Sequence, residues 1–148
     1  MNGYAKTGFC LLASALGVLF TPRSQAEDSP LQASLTCQST AGPGRILCEL
    51  STHATSGRLV WSDALVVHAP AFARPLRSRV VAQLGTPAVV GGAWAKLALV
   101  ASEAGEGKLE VLARGVVCRD GPNGQWCLPV RAPVSVELRV NSASAAAP

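Results

Sequence analysis

Five cysteines are the residues of this 148-residue chain whose type and spacing could do chemistry: Cys10, Cys37, Cys48, Cys118 and Cys127. A thiol can close a disulfide, ligate a metal as thiolate or attack another disulfide, and its neighbours decide which. Cys10 stands apart in an apolar run. The other four form two pairs, with ten residues between Cys37 and Cys48 and eight between Cys118 and Cys127. Neither pair has the close spacing of a zinc knuckle, and the only histidines, His53 and His68, stand alone, so no metal and no cofactor is expected. An even number of cysteines outside the apolar run predicts two disulfides and an oxidising compartment.

No other constellation competes with the cysteines. His53 and His68 lack a Ser or Asp partner at any spacing that nucleophilic catalysis uses, and the Gly-Glu-Gly at 105–107 reads as a turn rather than a phosphate loop. Arg74, Arg77 and Arg79 are either an anion-binding patch or the charged guard of an edge strand.

The N-terminus has the three-part plan of a secretory signal: Lys6, an uncharged stretch from Thr7 to Phe20, and the polar TPRSQA with small residues at Ser24 and Ala26. The apolar run is about 14 residues, short of the roughly 20 that a membrane-spanning helix needs. Thr-Gly-Phe before Cys10 does not match a lipoprotein cleavage site, so residues 1–26 are expected to leave without a lipid or membrane anchor remaining. Removing 26 of 148 residues leaves 122, enough for one domain with its own core, expected over 27–141 with a frayed tail at 142–148. Loss of Lys6 and Arg23 keeps 11 of the 13 basic and all 9 acidic residues, too small an excess to imply nucleic acid. The location implied is periplasmic or secreted.

Stepping along the rest of the chain, short Val-, Leu- and Ile-rich segments alternate with Gly and Pro clusters at intervals of about ten residues, the spacing of strands. QASLTCQ, RILCELS, GRLVWSDALVVHAP, RSRVVAQL, AWAKLALVA, KLEVLARGVVCR and APVSVELRV are the expected strands, the third counting as one or two. GTPAVVGG, EAGEG and DGPNGQ are the expected turns and loops. In KLEVLARGVVCR the alternation of Leu109, Val111 and Ala113 shifts at Gly115, as a β-bulge would shift it, so that Val116 and Cys118 share a face. The expectation is an all-β, immunoglobulin-like β-sandwich of seven or eight strands with two disulfides.

Turn placement fixes register. A four-residue turn at Ala41 to Gly44 pairs Thr40 with Arg45 and sets Cys37 opposite Cys48. A turn at Gly121 to Gly124 does the same for Cys118 and Cys127. A second arrangement competes: Cys48, Trp61 and Cys118 mimic the cysteine, tryptophan, cysteine order of true immunoglobulin domains, which would bridge Cys48 to Cys118 and Cys37 to Cys127. Under it the chain is a non-catalytic binding or structural module.

The stretch LALVASEAGEGKLEVLARGVVCRDGPNGQWCLPVRAPVSVELRV, from Leu97 onward, contains a polar turn, a strand, a cysteine, a short loop, a second cysteine, a proline and a closing strand in that order. In this it resembles the end of the amino-terminal periplasmic domain of DsbD-type thiol:disulfide interchange proteins. The resemblance implies an immunoglobulin-like fold and a redox-active pair that relays electrons to periplasmic thioredoxin-like partners. By position that pair is Cys118 and Cys127, with Pro129 matching the proline after the second cysteine, and Cys37 with Cys48 is left as a structural disulfide. Members of the family continue into a membrane domain, so the reductant for this chain is expected to be another protein. Arg119 beside Cys118 would favour its thiolate and Asp120 would oppose it.

Overall fold

The computed structural model describes residues 29–85 and 91–142. The expected signal at 1–26 with Cys10, most of the GTPAVVGG loop and the tail at 143–148 lie outside the described residues. Among the described residues there are nine strands and no helix: β1 (Leu31–Cys37), β2 (Gly44–Ala54), β3 (Arg58–His68), β4 (Ala73–Pro75), β5 (Arg79–Val81), β6 (Gln83–Leu84), β7 (Gly92–Ala101), β8 (Gly105–Gly121) and β9 (Gly124–Val140). Six are long and three are short. The segment 77–84, expected as one strand, divides into β5 and β6, and Ala73–Pro75 adds β4.

Two antiparallel sheets share one core. The first runs β1-β2-β7-β4 with β6 also beside β7, and the second runs β5-β3-β8-β9. Taken in chain order, the first, second and fourth long strands form one sheet and the third, fifth and sixth the other, which is the connectivity of an immunoglobulin-like sandwich. Alternation drives it. Ile46, Cys48 and Leu50 of β2, Leu97 and Leu99 of β7, and Leu109 and Val111 of β8 all point inward and are buried. The sheets are also joined by a polar contact, Thr52 Oγ1 to Ser62 Oγ at 3.3 Å, whose burial is tolerated because Thr52 also donates to the Ala93 carbonyl.

Three local expectations are corrected. The phase shift placed at Gly115 does not occur: β8 pairs with β9 without interruption from Gly105 to Gly121. The irregularity lies across from it, in β3, where Leu59 pairs with Val117 and Trp61 with Val116, leaving Val60 as the extra residue. Gly115 makes room for that bulge, since a Cβ there would lie 2.8 Å from Leu59 Cδ1 and 3.2 Å from the Trp61 carbonyl oxygen. Second, Gly-Glu-Gly at 105–107 is the start of β8 rather than a turn, and the bare backbone of Gly105 and Gly107 seats Phe72 and Pro70. Third, the first hairpin opens before Thr40 reaches Arg45. Gln38 still donates to the Leu47 carbonyl at 3.0 Å, but Thr40 crosses to form a parallel bridge with Val140 at the end of β9.

Candidate functional site

Both hairpin registers set the cysteines in line, Cys37 opposite Cys48 and Cys118 opposite Cys127, and both pairs are closed as disulfides with Cα atoms 4.0 Å apart. The Cys48 to Cys118 alternative is overturned for a geometric reason: Cys48 points into the core, whereas the alternation of β8 turns Cys118 to the outer side of its sheet. Trp61 departs from the immunoglobulin pattern in the same way, because the bulge at Val60 sends it outward beside Val116. Two disulfides belong to an oxidising, extracytoplasmic environment. No helix among the described residues is long and apolar enough to cross a membrane.

Placement separates the two bridges. Cys37–Cys48 sits on the inner face, with Cys48 fully buried and Leu97 of β7 beside it. Cys118–Cys127 sits on the outer face near the tip of the β8–β9 hairpin. That tip is made by the two-residue connection Pro122–Asn123, with Gly124 at φ 111°, a conformation that favours glycine. Every residue of β9 from Gly124 to Pro129 is exposed. Trp126 and Leu128, whose alternation is that of the inward side, are 44% and 50% exposed, so the tip projects past the facing sheet.

The two sulfurs of the outer bridge differ in environment. Cys127 is exposed, whereas Cys118 is 5% exposed. The turn between β2 and β3 packs on its backbone rather than on its sulfur. Gly57 there has φ 86°, and a Cβ at that position would lie 2.7 Å from the Cys118 carbonyl oxygen and 2.8 Å from Arg119 Cγ. Arg119 donates to Ser56 Oγ of the same turn and lies 5.5 Å from the Trp126 ring. Asp120 accepts from Gln125 at 3.4 Å, and Pro129 stands one rung inward from Cys127, opposite Val116. Sequence reasoning missed Arg58, the residue that β3 places opposite Cys118, because only sheet register reveals it.

Further along the same outer face lies a buried charge cluster. Asp63 has a fully buried side chain that accepts from Arg114 Nε at 2.9 Å, from Arg114 Nη2 at 2.5 Å and from Arg79 Nε at 2.6 Å. Burial opposes its ionisation, but the hydrogen bonds and charges of Arg114 and Arg79 prevail and hold the carboxyl below the usual aspartate range. Arg114 is correspondingly raised by its bonds to Asp63. Arg79 also lies 5.9 Å from the Trp61 ring. The three arginines, read either as an anion-binding patch or as the guard of one edge strand, are divided: Arg74 is on β4 in the first sheet, Arg77 lies in the crossing, and Arg79 is committed to Asp63. His53 and His68 are on strands of different sheets and share no site.

Among the described residues no cluster of three His, Cys, Asp or Glu converges, and the four sulfurs of the outer and inner bridges are already bonded to one another. The outer bridge thus joins an exposed cysteine to a sheltered one, with Arg58 beside it. No family model, no curated protein and no solved structure matches the chain.

Proposed function

We propose that this is a periplasmic thiol-disulfide exchange or redox-accessory domain in which Cys118–Cys127 is the working pair and Cys37–Cys48 the structural one. The observation that carries the reading is the contrast between the bridges: one lies on the core face, the other on an outer face near a projecting hairpin tip with Cys127 exposed. Exchange requires a thiolate to reach one sulfur in line with the S–S bond, so access decides which bridge can react.

In the step that loads the domain with electrons, which runs in reverse to deliver them to an oxidised partner, the thiolate of a reducing partner dithiol attacks Cys127 Sγ. A new sulfur-sulfur bond forms there, the Cys118–Cys127 bond breaks, and its electron pair leaves on Cys118 Sγ. Arg58, opposite Cys118 on the same face, lowers the energy of that leaving thiolate. The partner's second thiolate then attacks its own sulfur in the mixed disulfide and releases Cys127. The partner is oxidised by two electrons, and this domain holds two thiols once protons are taken up. Exposed Trp126 and Leu128, on either side of Cys127 in sequence, offer apolar contact to a thioredoxin-like partner.

Thiol trapping across graded glutathione buffers tests the reading. Cys118 and Cys127 are expected to open within the range of oxidoreductases, roughly −120 to −270 mV, with Cys37–Cys48 resisting to below about −300 mV. Equal resistance of both pairs would leave a non-catalytic immunoglobulin-like module with two structural disulfides.

A further inference from the structure

The outer face of the second sheet is unevenly charged along its length. Starting at the hairpin tip, successive outward rungs of β8 and β9 are Asp120/Gln125, Cys118/Cys127, Val116/Pro129 and Arg114/Arg131. Two residues of strand advance by about 7 Å, so Arg131 stands about 14 Å from the disulfide. Arg58 flanks Cys118 from the other side. Arg58 and Arg131 are exposed and make no ion pair among the described residues, while Arg114 and Arg79 share the single carboxylate of Asp63. Four arginines thus meet two acids, Asp63 and Asp120, within reach of the bridge. Beyond Leu112 the balance reverses, with Glu110, Glu106 and Glu137 against Lys108 and Arg139.

Shape follows charge. A groove of about 520 Å3 runs over this half of the face, floored by Val116, Pro129 and Leu112 and walled by Trp61, Arg114 and Arg131. Arg114 directly opposite Arg131 is an unfavourable like-charge pair across two strands, only partly relieved by Asp63. An incoming carboxylate would relieve the rest.

We propose that this groove docks an acidic segment of the thiol-bearing partner, seating carboxylates on Arg131 and Arg58 and apolar side chains over Val116 and Pro129, so that the partner's thiolate arrives at Cys127. The proposal rests on the exchange reading and adds the partner's chemistry to it. Complementary charge acts chiefly on encounter rate, and its effect fades with salt.

The test uses two synthetic dithiol peptides with the same Cys-Gly-Pro-Cys core, one flanked by aspartate and glutamate and one by lysine. Each rate of Cys118–Cys127 reduction is divided by that peptide's rate toward a neutral small disulfide, which removes differences in intrinsic thiol reactivity. The acidic peptide is expected to be favoured about 10-fold at low ionic strength, the advantage collapsing toward parity in 0.5 M salt. Arg131→Glu, at an exposed position that takes no part in the exchange step, should abolish most of the preference while leaving the rate with dithiothreitol unchanged. Opening of the bridge in glutathione buffers with no charge preference would overturn this inference and leave the exchange reading standing. Failure of the bridge to open in those buffers would overturn both. Concentration-dependent dimerisation that Arg131→Glu abolishes, in place of a peptide preference, would assign the face to a second copy of the chain and also overturn it.

Discussion

Asp63 and Arg114 stand opposite each other on β3 and β8 and join through two hydrogen bonds, of 2.9 and 2.5 Å, on the outer side of their sheet. Arg79 of β5 closes the arrangement from the other flank, so one carboxylate ties three strands together. A buried charge is stabilising only while its partners are present, and here they are.

Asp63→Asn should therefore destabilise the fold at neutral pH by about 2 kcal/mol, toward the low side of values for broken buried pairs because both arginines are partly solvated. The pH dependence follows from the lowered carboxyl. Its contribution is complete above the unfolded-chain aspartate value of about 3.9 and is lost as pH falls from there through the lower folded value. Denaturant melts from pH 7 to pH 2 should show wild type losing its advantage over Asp63→Asn in that acid window. An unchanged gap at pH 2 would show that the cluster does not work through this ionisation.

Gly57 offers a separate handle. Its φ of 86° disfavours any side chain, and an added Cβ would meet the Cys118 carbonyl oxygen at 2.7 Å. Gly57→Ala is expected to cost about 2 kcal/mol or more and to lift the β2–β3 turn away from β8. Amide exchange should then rise at Ser56 to Leu59 and around Cys118 while the β1–β2–β7 sheet keeps its protection.

The inner bridge should behave as a staple. Replacing Cys37 and Cys48 together by alanine is expected to lower stability by about 3 kcal/mol from chain entropy, with a further loss because Cys48 is fully buried beside Leu97. The same double change at Cys118 and Cys127 should cost less, as Cys127 has little packing to lose. Chemical denaturation of the two variants compares them directly.

Legibility in the sequence followed the range of the interaction. Alternation along β1, β2 and β9 and the turn residues between strands are local signals, and they carry the sandwich and both disulfides. Turn length alone brought Cys118 to Cys127, since a hairpin register is fixed by its turn. What escaped was set by partners distant in sequence. The bulge was assigned to the glycine at 115, but a small residue marks the strand that yields space, and the extra residue is Val60 across from it. Asp63 gives no local signal in the sequence because its arginines lie 16 and 51 positions away. The run Arg74, Arg77 and Arg79 looked like one patch because nothing local announces that the chain changes sheets between β4 and β5.

The unequal exposure of the outer pair leads to the last prediction. If a partner thiolate enters at the exposed sulfur, the intermediate is a mixed disulfide on Cys127, and Cys118 is the thiolate that would otherwise return to resolve it. Cys118→Ser, with Cys127 first converted to its mixed disulfide with thionitrobenzoate, should therefore accumulate that intermediate with a reduced thioredoxin-like protein whose resolving cysteine is also replaced, the partner thiolate displacing thionitrobenzoate. Cys127→Ser, loaded in the same way at Cys118, should trap at least about 10-fold less, because Cys118 lies on the central strand β8 between Arg58 of β3 and the rungs of β9 and is only 5% exposed. Adding Arg58→Ala to Cys127→Ser, by opening the β3 flank of Cys118, should recover part of the trapping. Nonreducing gels with mass spectrometry of the adduct would measure all three. Equal trapping by the two single variants would mean that Cys118 is no less accessible than Cys127 in solution, and the assignment of Cys127 as the point of entry would fall even if the pair proves redox-active.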